Sequence, residues 1–385
     1  MAETVSTHFD RLRVFLRERR LAVLIGLIVV LMVVISGVIL VLSRDRGRGS
    51  ASTSPRLPRV IYLAPSDSPD RNLYVSDVHT GQARQLTFAE HGIEDFAVSP
   101  DGSQVAYAQE NDDGTADIWV LTVRSGETHP IMRCVDAVCT LPAWKPDGTQ
   151  IAYQRQEFGG GGKAASTRAW IVDLRTLQTQ LLFDDVQILG TDPTWSPDGR
   201  RVAVFDASVT GIRVHDFVTG ADTIIESMQD VVGTFSPDGT RLVHPVLVRG
   251  ARGGEFYTQL EITDLKALTQ TRLSGPDDAP VEDSYAAWSP DGTLLLVARR
   301  YLDTRFTPGT QIYLLDPATG DATPLVVDAR YNHAGLHWDP TGHQIVFQRF
   351  AMNAEDPKPE VWVYDLDTGA LTRVAENAFF PAWLP

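Results

Sequence analysis

Two hydrophobic patterns divide the chain. From Leu21 to Leu42 runs a stretch of 22 residues without a charge, rich in Leu, Ile and Val. Beyond residue 59 the apolar positions fall instead in short alternating segments such as Gln104-Val-Ala-Tyr107, Gln150-Ile-Ala-Tyr153 and Val361-Trp-Val-Tyr-Asp365, separated by Gly, Pro, Asp and Thr. The first pattern predicts a helix about 33 Å long at about 1.5 Å per residue, which matches a hydrocarbon layer of about 30 Å. The second predicts β-strands throughout.

The strands are ordered by a repeat. Ser99-Pro100-Asp101-Gly102 returns as Lys145-Pro146-Asp147-Gly148, Ser196-Pro197-Asp198-Gly199, Ser236-Pro237-Asp238-Gly239, Ser289-Pro290-Asp291-Gly292 and Asp339-Pro340-Thr341-Gly342, at spacings of 40 to 53 residues. Proline presets φ near −65° at the second turn position and Gly takes the left-handed conformation that returns the chain, so the Asp is a turn former and not a catalytic acid. Each turn follows a large residue (Val98, Trp144, Trp195, Phe235, Trp288, Trp338) and precedes a second strand. A third strand then ends in a Thr-Gly hairpin, as in Gln311-Ile-Tyr-Leu-Leu-Asp316 with Thr319-Gly320, and a short fourth strand follows. Four antiparallel strands per unit make a propeller blade. The eight Trp fall on two repeat positions, first strand and third strand, as expected of core between blades.

The two ends of this region complete each other. Residues 60–87 supply the second, third and fourth strands of a unit that lacks its first, and Phe380-Pro-Ala-Trp383 matches the missing first strand, in the manner of Leu141-Pro-Ala-Trp144. The predicted fold is therefore all-β: a seven-bladed β-propeller closed by N- and C-terminal strands in one blade, preceded by a single transmembrane helix. The Trp-Ser-Pro-Asp-Gly turn with the Ile-Ala-Tyr and Ile-Trp-Val strands resembles the TolB-type, WD-repeat-like propeller family over residues 60–385. That resemblance implies the fold. For function it implies a range: envelope interaction modules, propellers of prolyl oligopeptidase-like peptidases, and sugar-acid lyases. The N-terminal domain typical of TolB is not seen, and no Gly-x-Ser-x-Gly elbow occurs.

Charge refines the picture. Residues 1–58 carry nine Arg and four acidic residues, a net +5, which leaves −20 for residues 59–385 out of −15 for the whole. So acidic a propeller repels phosphate backbones, which excludes nucleic acid as a partner. Arg11, Arg13, Arg17, Arg19 and Arg20 before the apolar run predict a cytoplasmic N-terminus. The expected organisation is a cytoplasmic tail over 1–20, a membrane helix over 21–42, a flexible linker over 43–58 and the propeller over 59–385, outside a cell membrane. There Cys134 and Cys139, the only cysteines, are a possible disulfide worth about 2 kcal/mol.

The face opposite the turns collects the insertions, at 109–116, 155–168, 249–255, 300–308 and 350–359, and is the expected binding face. Aligning the repeats on the turn proline places Glu94, Asp95, Asp192, Asp230, Glu282, Asp283 and His333 where strands enter the central channel, an acidic mouth for a cation or basic partner. His91, His333 and His337 are the histidines that a metal-dependent lyase would need to gather. With no catalytic residues, resident metal or cofactor assigned, the expectation is a membrane-anchored binding or assembly module without catalysis of its own, engaging a protein or extended ligand. The alternative is a metal-dependent lyase or hydrolase with its site in the channel.

Overall fold

The computed structural model describes residues 58–159, 163–250, 255–275 and 279–385. The predicted membrane helix over 21–42 lies outside them. No helix among the described residues is long and apolar enough to cross a membrane.

The described chain is built of strands. β1 (Arg59–Ala64), β2 (Asn72–Asp77) and β3 (Ala83–Gln85) open it. Next come β4 (Ile93–Val98), β5 (Gln104–Glu110), β6 (Ala116–Thr122) and β7 (Thr128–Met132), then β8 (Ala137–Trp144), β9 (Gln150–Gly159), β10 (Lys163–Asp173) and β11 (Thr179–Leu181). Four further sets follow. The first two are β12 (Gly190–Trp195), β13 (Arg201–Asp206), β14 (Gly211–Asp216), β15 (Ala221–Glu226), and β16 (Thr234–Phe235), β17 (Arg241–Arg249), β18 (Phe256–Asp264), β19 (Thr269–Arg272). The last two are β20 (Val281–Trp288), β21 (Leu295–Tyr301), β22 (Gln311–Leu315), β23 (Ala322–Val326), and β24 (Tyr331–Trp338), β25 (Gln344–Ala351), β26 (Glu360–Asp365), β27 (Leu371–Glu376). β28 (Phe379–Leu384) ends the chain's strands and pairs back onto β1.

Neighbouring strands pair antiparallel into five four-stranded sheets and one eight-stranded sheet, the latter joining β4–β7 to β8–β11 through a single parallel bridge, Ala116 to Val138. The architecture is that of a β-propeller, as the repeat predicts. The composite sheet has the order β28-β1-β2-β3, with Val60 opposite Trp383 and Ile61 opposite Ala382. Alternation along β1 explains how it closes the ring. Ile61 and Leu63 pack on Val105 and Tyr107 of the next sheet, while Val60 and Tyr62 pack on Val346, Val361 and Val363 of the last. Both faces of this strand are buried, so it reads as a continuous apolar run.

The turns follow the predicted chemistry. In each Ser-Pro-Asp-Gly copy the Gly has positive φ, between 65° and 72°, and the Asp carboxylate accepts hydrogen bonds from the Ser hydroxyl and from the residue after the Gly, as Asp101 does from Ser99 Oγ (2.7 Å) and Ser103 N (3.0 Å). First-strand tryptophans tie one sheet to the one before it. Trp144, Trp338 and Trp383 donate their indole N–H to the carbonyls of Ala97, Ala287 and His337. The third-strand tryptophans, Trp119, Trp170 and Trp362, are only half-buried, so they contribute less to the seams than the repeat suggests.

One of the insertions is largely strand. The insertion at 155–168 extends β9 and β10 as a long hairpin in which Arg155 faces Arg168 and Gln156 faces Thr167. Alternating polar residues there can pair their backbones without needing a core.

Candidate functional site

The first strands of the sheets converge on one cavity. Residues of β4, β12, β16, β20, β24 and β28 line a volume of about 920 Å³. Its wall is mostly apolar, with Phe96, Val231, Leu260 and Trp338 among the lining residues, and the turn prolines Pro100 and Pro197 border it.

Polar side chains reach this lumen through irregularities in the strands. Strand pairing slips between Thr191 and Thr194 on β12, between Asp283 and Tyr285 on β20, and between Ala334 and His337 on β24. Such bulges re-aim side chains. They leave Asp192, Tyr285 and His337 on the cavity wall, with the Tyr285 and His337 rings 6.3 Å apart and edge to face. Asp192 has a φ of 53°, a left-handed conformation that Asp tolerates better than most residues. His337 is exposed and borders the lumen, and desolvation lowers its pKa to about 4, so it is neutral. Desolvation, and then the Asp192 charge, push the Tyr285 hydroxyl up to about 12. Asp192 itself is raised, first by desolvation.

The residues predicted for an acidic mouth take different places. Only Asp192 lines the cavity. Its Oδ2 accepts the backbone N–H of Val232, two residues before β16 of the next sheet, at 3.3 Å. Asp95 does the same two seams earlier, accepting the N–H of Leu141 at 2.8 Å, while its Oδ1 is buried without a hydrogen-bond partner. That burial raises its pKa to about 7. Asp283 is fully buried, with both oxygens bound by Arg299 at 2.7 Å and one also by the Ser274 hydroxyl at 2.6 Å. Glu282 is paired with Arg300. Glu94 and Asp230 are exposed. His333 is fully buried, its Nδ1 on the Thr310 carbonyl at 3.0 Å and its Nε2 without a partner. A ring of carboxylates sharing one mouth is therefore not formed: strand alternation sends Glu282 and Asp283 to opposite sides, and Asp283 is consumed by its arginine. No group of three or more His, Cys, Asp or Glu able to hold a metal occurs among the described residues. Cys134 and Cys139 are joined as a disulfide.

Three residues missed from sequence complete the picture. Tyr285 lies in the lumen, and a residue three before a first-strand Trp is the signal that would have found it. Gln154 Oε1 accepts the N–H of Asp192, at 3.4 Å, and Gln348 Oε1 that of Phe380, at 2.7 Å. Three of the four donating seam residues, Leu141, Asp192 and Phe380, have left-handed φ, so there an amide or carboxylate on one sheet caps an unusual backbone turn on the next.

No family model matches the chain. Dipeptidyl-peptidase 5 of Porphyromonas gingivalis is 33% identical over 122 residues, which cover 29% of this chain and 17% of that protein. The uncharacterized peptidase YuxL of Bacillus subtilis is 24% identical over 221 residues, 55% of this chain and 30% of that protein. The matches thus span less than a third of either relative. Among solved structures, TolB from Acinetobacter baumannii superposes with a TM-score of 0.50 at 16% identity, over 85% of this chain and 67% of that one. The β-propeller domain of the trilobed protease from Pyrococcus furiosus gives 0.54 at 16% identity, over 74% and 82%. That domain has an open velcro topology, whereas here β28 zips onto β1. The likeness establishes a TolB-type β-propeller fold. The expectation of a module without catalysis of its own, and with it the expectation of no enzyme, is overturned by the two sequence relatives, both of which are named as peptidases.

Proposed function

We propose, for a chain built on the TolB-type β-propeller, that it acts in peptide hydrolysis, as the propeller of a peptidase whose peptide is received in the central lumen. The carrying observation is the extent of the similarity to the two peptidases: 122 and 221 aligned residues exceed the residues that precede the propeller, so most of each match falls within it. A cavity walled by rigid sheets suits an extended peptide and excludes a folded protein. The blade count in this reading is seven, the eight-stranded sheet counting as two because one bridge holds its halves together. Ser284, Asp192 and His337 border the same lumen. The Ser284 hydroxyl donates to the Ala298 carbonyl at 3.5 Å, and none of the three is assigned the nucleophile.

In the same proposal residues 1–20 form a cytoplasmic tail, 21–42 a single membrane span, 43–58 a linker and 59–385 a propeller outside the cell membrane. The apolar run and the arginines before it support this. The Cys134–Cys139 disulfide supports an oxidising compartment.

The test is an assay of the full chain, purified in detergent, against dipeptidyl p-nitroanilides with a free amino terminus and against fluorogenic hexapeptides. Release above that of heat-denatured chain is the expected outcome. No release from either set, from chain shown to be folded by circular dichroism, overturns the reading.

A further inference from the structure

The fold leaves polar capacity unused in its own centre. Asp192 spends Oδ2 on Val232 N, but among the described residues no Lys or Arg pairs with it and its Oδ1 makes no hydrogen bond. The Tyr285 hydroxyl and the His337 imidazole likewise make no hydrogen bond among the described residues, although both border the lumen with Asp192. Two other inward carboxylates are treated differently. Asp283 receives a bidentate arginine, and Asp206 receives Arg213 at 2.8 Å. Holding a seam needs only a hydrogen-bond acceptor, which Gln154 and Gln348 supply without charge. A carboxylate at the Asp192 position is thus more than the seam requires.

We infer that the lumen is a binding site for an organic ammonium ion, a molecule with one protonated amine beside an apolar body, the amine seated at the Asp192 carboxylate next to the rings of Tyr285 and His337. A desolvated carboxylate without a cation gains most from a ligand that brings one. The face of Tyr285 attracts the same charge, and a neutral His337 does not repel it. The apolar walls take the body of the ligand, in a volume at the upper end of the roughly 300–1,000 Å³ usual for small-molecule sites. The chemistry is shared by two sources, the amino terminus of a peptide and a free organic amine. For the first of these it rests on the reading of the lumen as the place that holds peptide.

Binding to the full chain is followed by the fluorescence of Trp288, Trp338 and Trp383, which border the cavity. The probes are phenethylammonium and trileucine amide, each compared with its N-acetyl form. At least one amine is expected to bind about tenfold or more tightly than its acetyl form, and Asp192→Asn, which keeps both the acceptor for Val232 and the tolerance for left-handed φ, is expected to abolish that preference. Preference for one probe only assigns that source. Glu94→Gln, at an exposed carboxylate outside the cavity lining, should leave the preference intact. Equal affinity of amine and acetyl forms for both probes overturns the proposal, and this comparison on the unmodified chain stands whether or not the variants fold. A preference that survives Asp192→Asn also overturns it. No turnover is measured, so a chain that selects amines without hydrolysing peptide separates this proposal from the peptidase reading, and hydrolysis without selection separates them the other way.

Discussion

The two ends of each first strand solve the same problem with different chemistry. At the turn end, every carboxylate is satisfied within its own hairpin. Asp238 accepts from Ser236 Oγ at 2.5 Å, Thr240 N at 3.0 Å and Thr240 Oγ1 at 2.8 Å, and these bonds, the Ser236 one first, pull its pKa down to about 2. At the entry end, carboxylates reach across seams to residues 40 or 46 positions away, as Asp192 does to Val232 and Asp95 to Leu141. There burial dominates, and both are pushed upward, Asp95 to about 7. The same side chain is held ionised at one edge and pressed toward its neutral form at the other. Exposure decides the direction: bonds from backbone and hydroxyl donors favour the charge, and loss of water opposes it.

The entry end is where this contrast breaks most readily. Arg299→Ala leaves Asp283 buried with an unpaired charge and is expected to cost about 3–5 kcal/mol, read as a fall in the urea midpoint. Asp95→Asn should act in the opposite sense. Its folded pKa of about 7 lies above the ordinary 3.8, so the stability associated with its protonation is complete below that lower value and is lost as pH rises through 7. The variant should match the parent near pH 4, gain progressively to pH 7 and remain about 1–2 kcal/mol more stable at pH 8, in urea titrations at the two extremes. At the turn end, Asp238→Ala should cost about 1 kcal/mol at pH 7. Its depressed pKa means that this contribution is present above 3.8 and fades as pH falls toward 2, so thermal unfolding of parent and variant should converge in strong acid. Equal pH profiles for the Asp95 and Asp238 variants would erase the distinction between the edges.

This distinction also sets what was legible in the sequence. The turn end is local: Ser99, Asp101 and Gly102 meet within one hairpin, so the residue types announce the geometry. The closing strand was legible for the same reason, because Pro-Ala-Trp383 repeats Pro-Ala-Trp144 and both stand at the same place in their sheets. At the entry end the sequence predicts one acidic mouth, because alignment gives position along a strand but not the side that a residue faces. A slip of pairing between Asp283 and Tyr285 decides which of them is buried against Arg299 and which faces the lumen, and nothing in a single strand's composition marks that slip. The insertion at 155–168 shows the same limit, since polar alternation suits a solvated hairpin as well as a loop. The resemblance to the TolB-type repeat admits peptidase propellers as one function among three but cannot choose among them, because the residues that repeat are those that build the propeller.

The pairing of β28 with β1 has a consequence in time. β1 ends at Ala64 and β28 begins at Phe379, 315 positions later. At about 5–20 residues per second on the ribosome, the first strand is made roughly 15–60 s before its last neighbour exists. Through that interval a nascent chain displays Val60 and Tyr62 on a strand with one free side, a template for sticking to other unfinished copies. Yield on overproduction should therefore be governed by elongation speed and crowding of polysomes as much as by the strength of the finished ring.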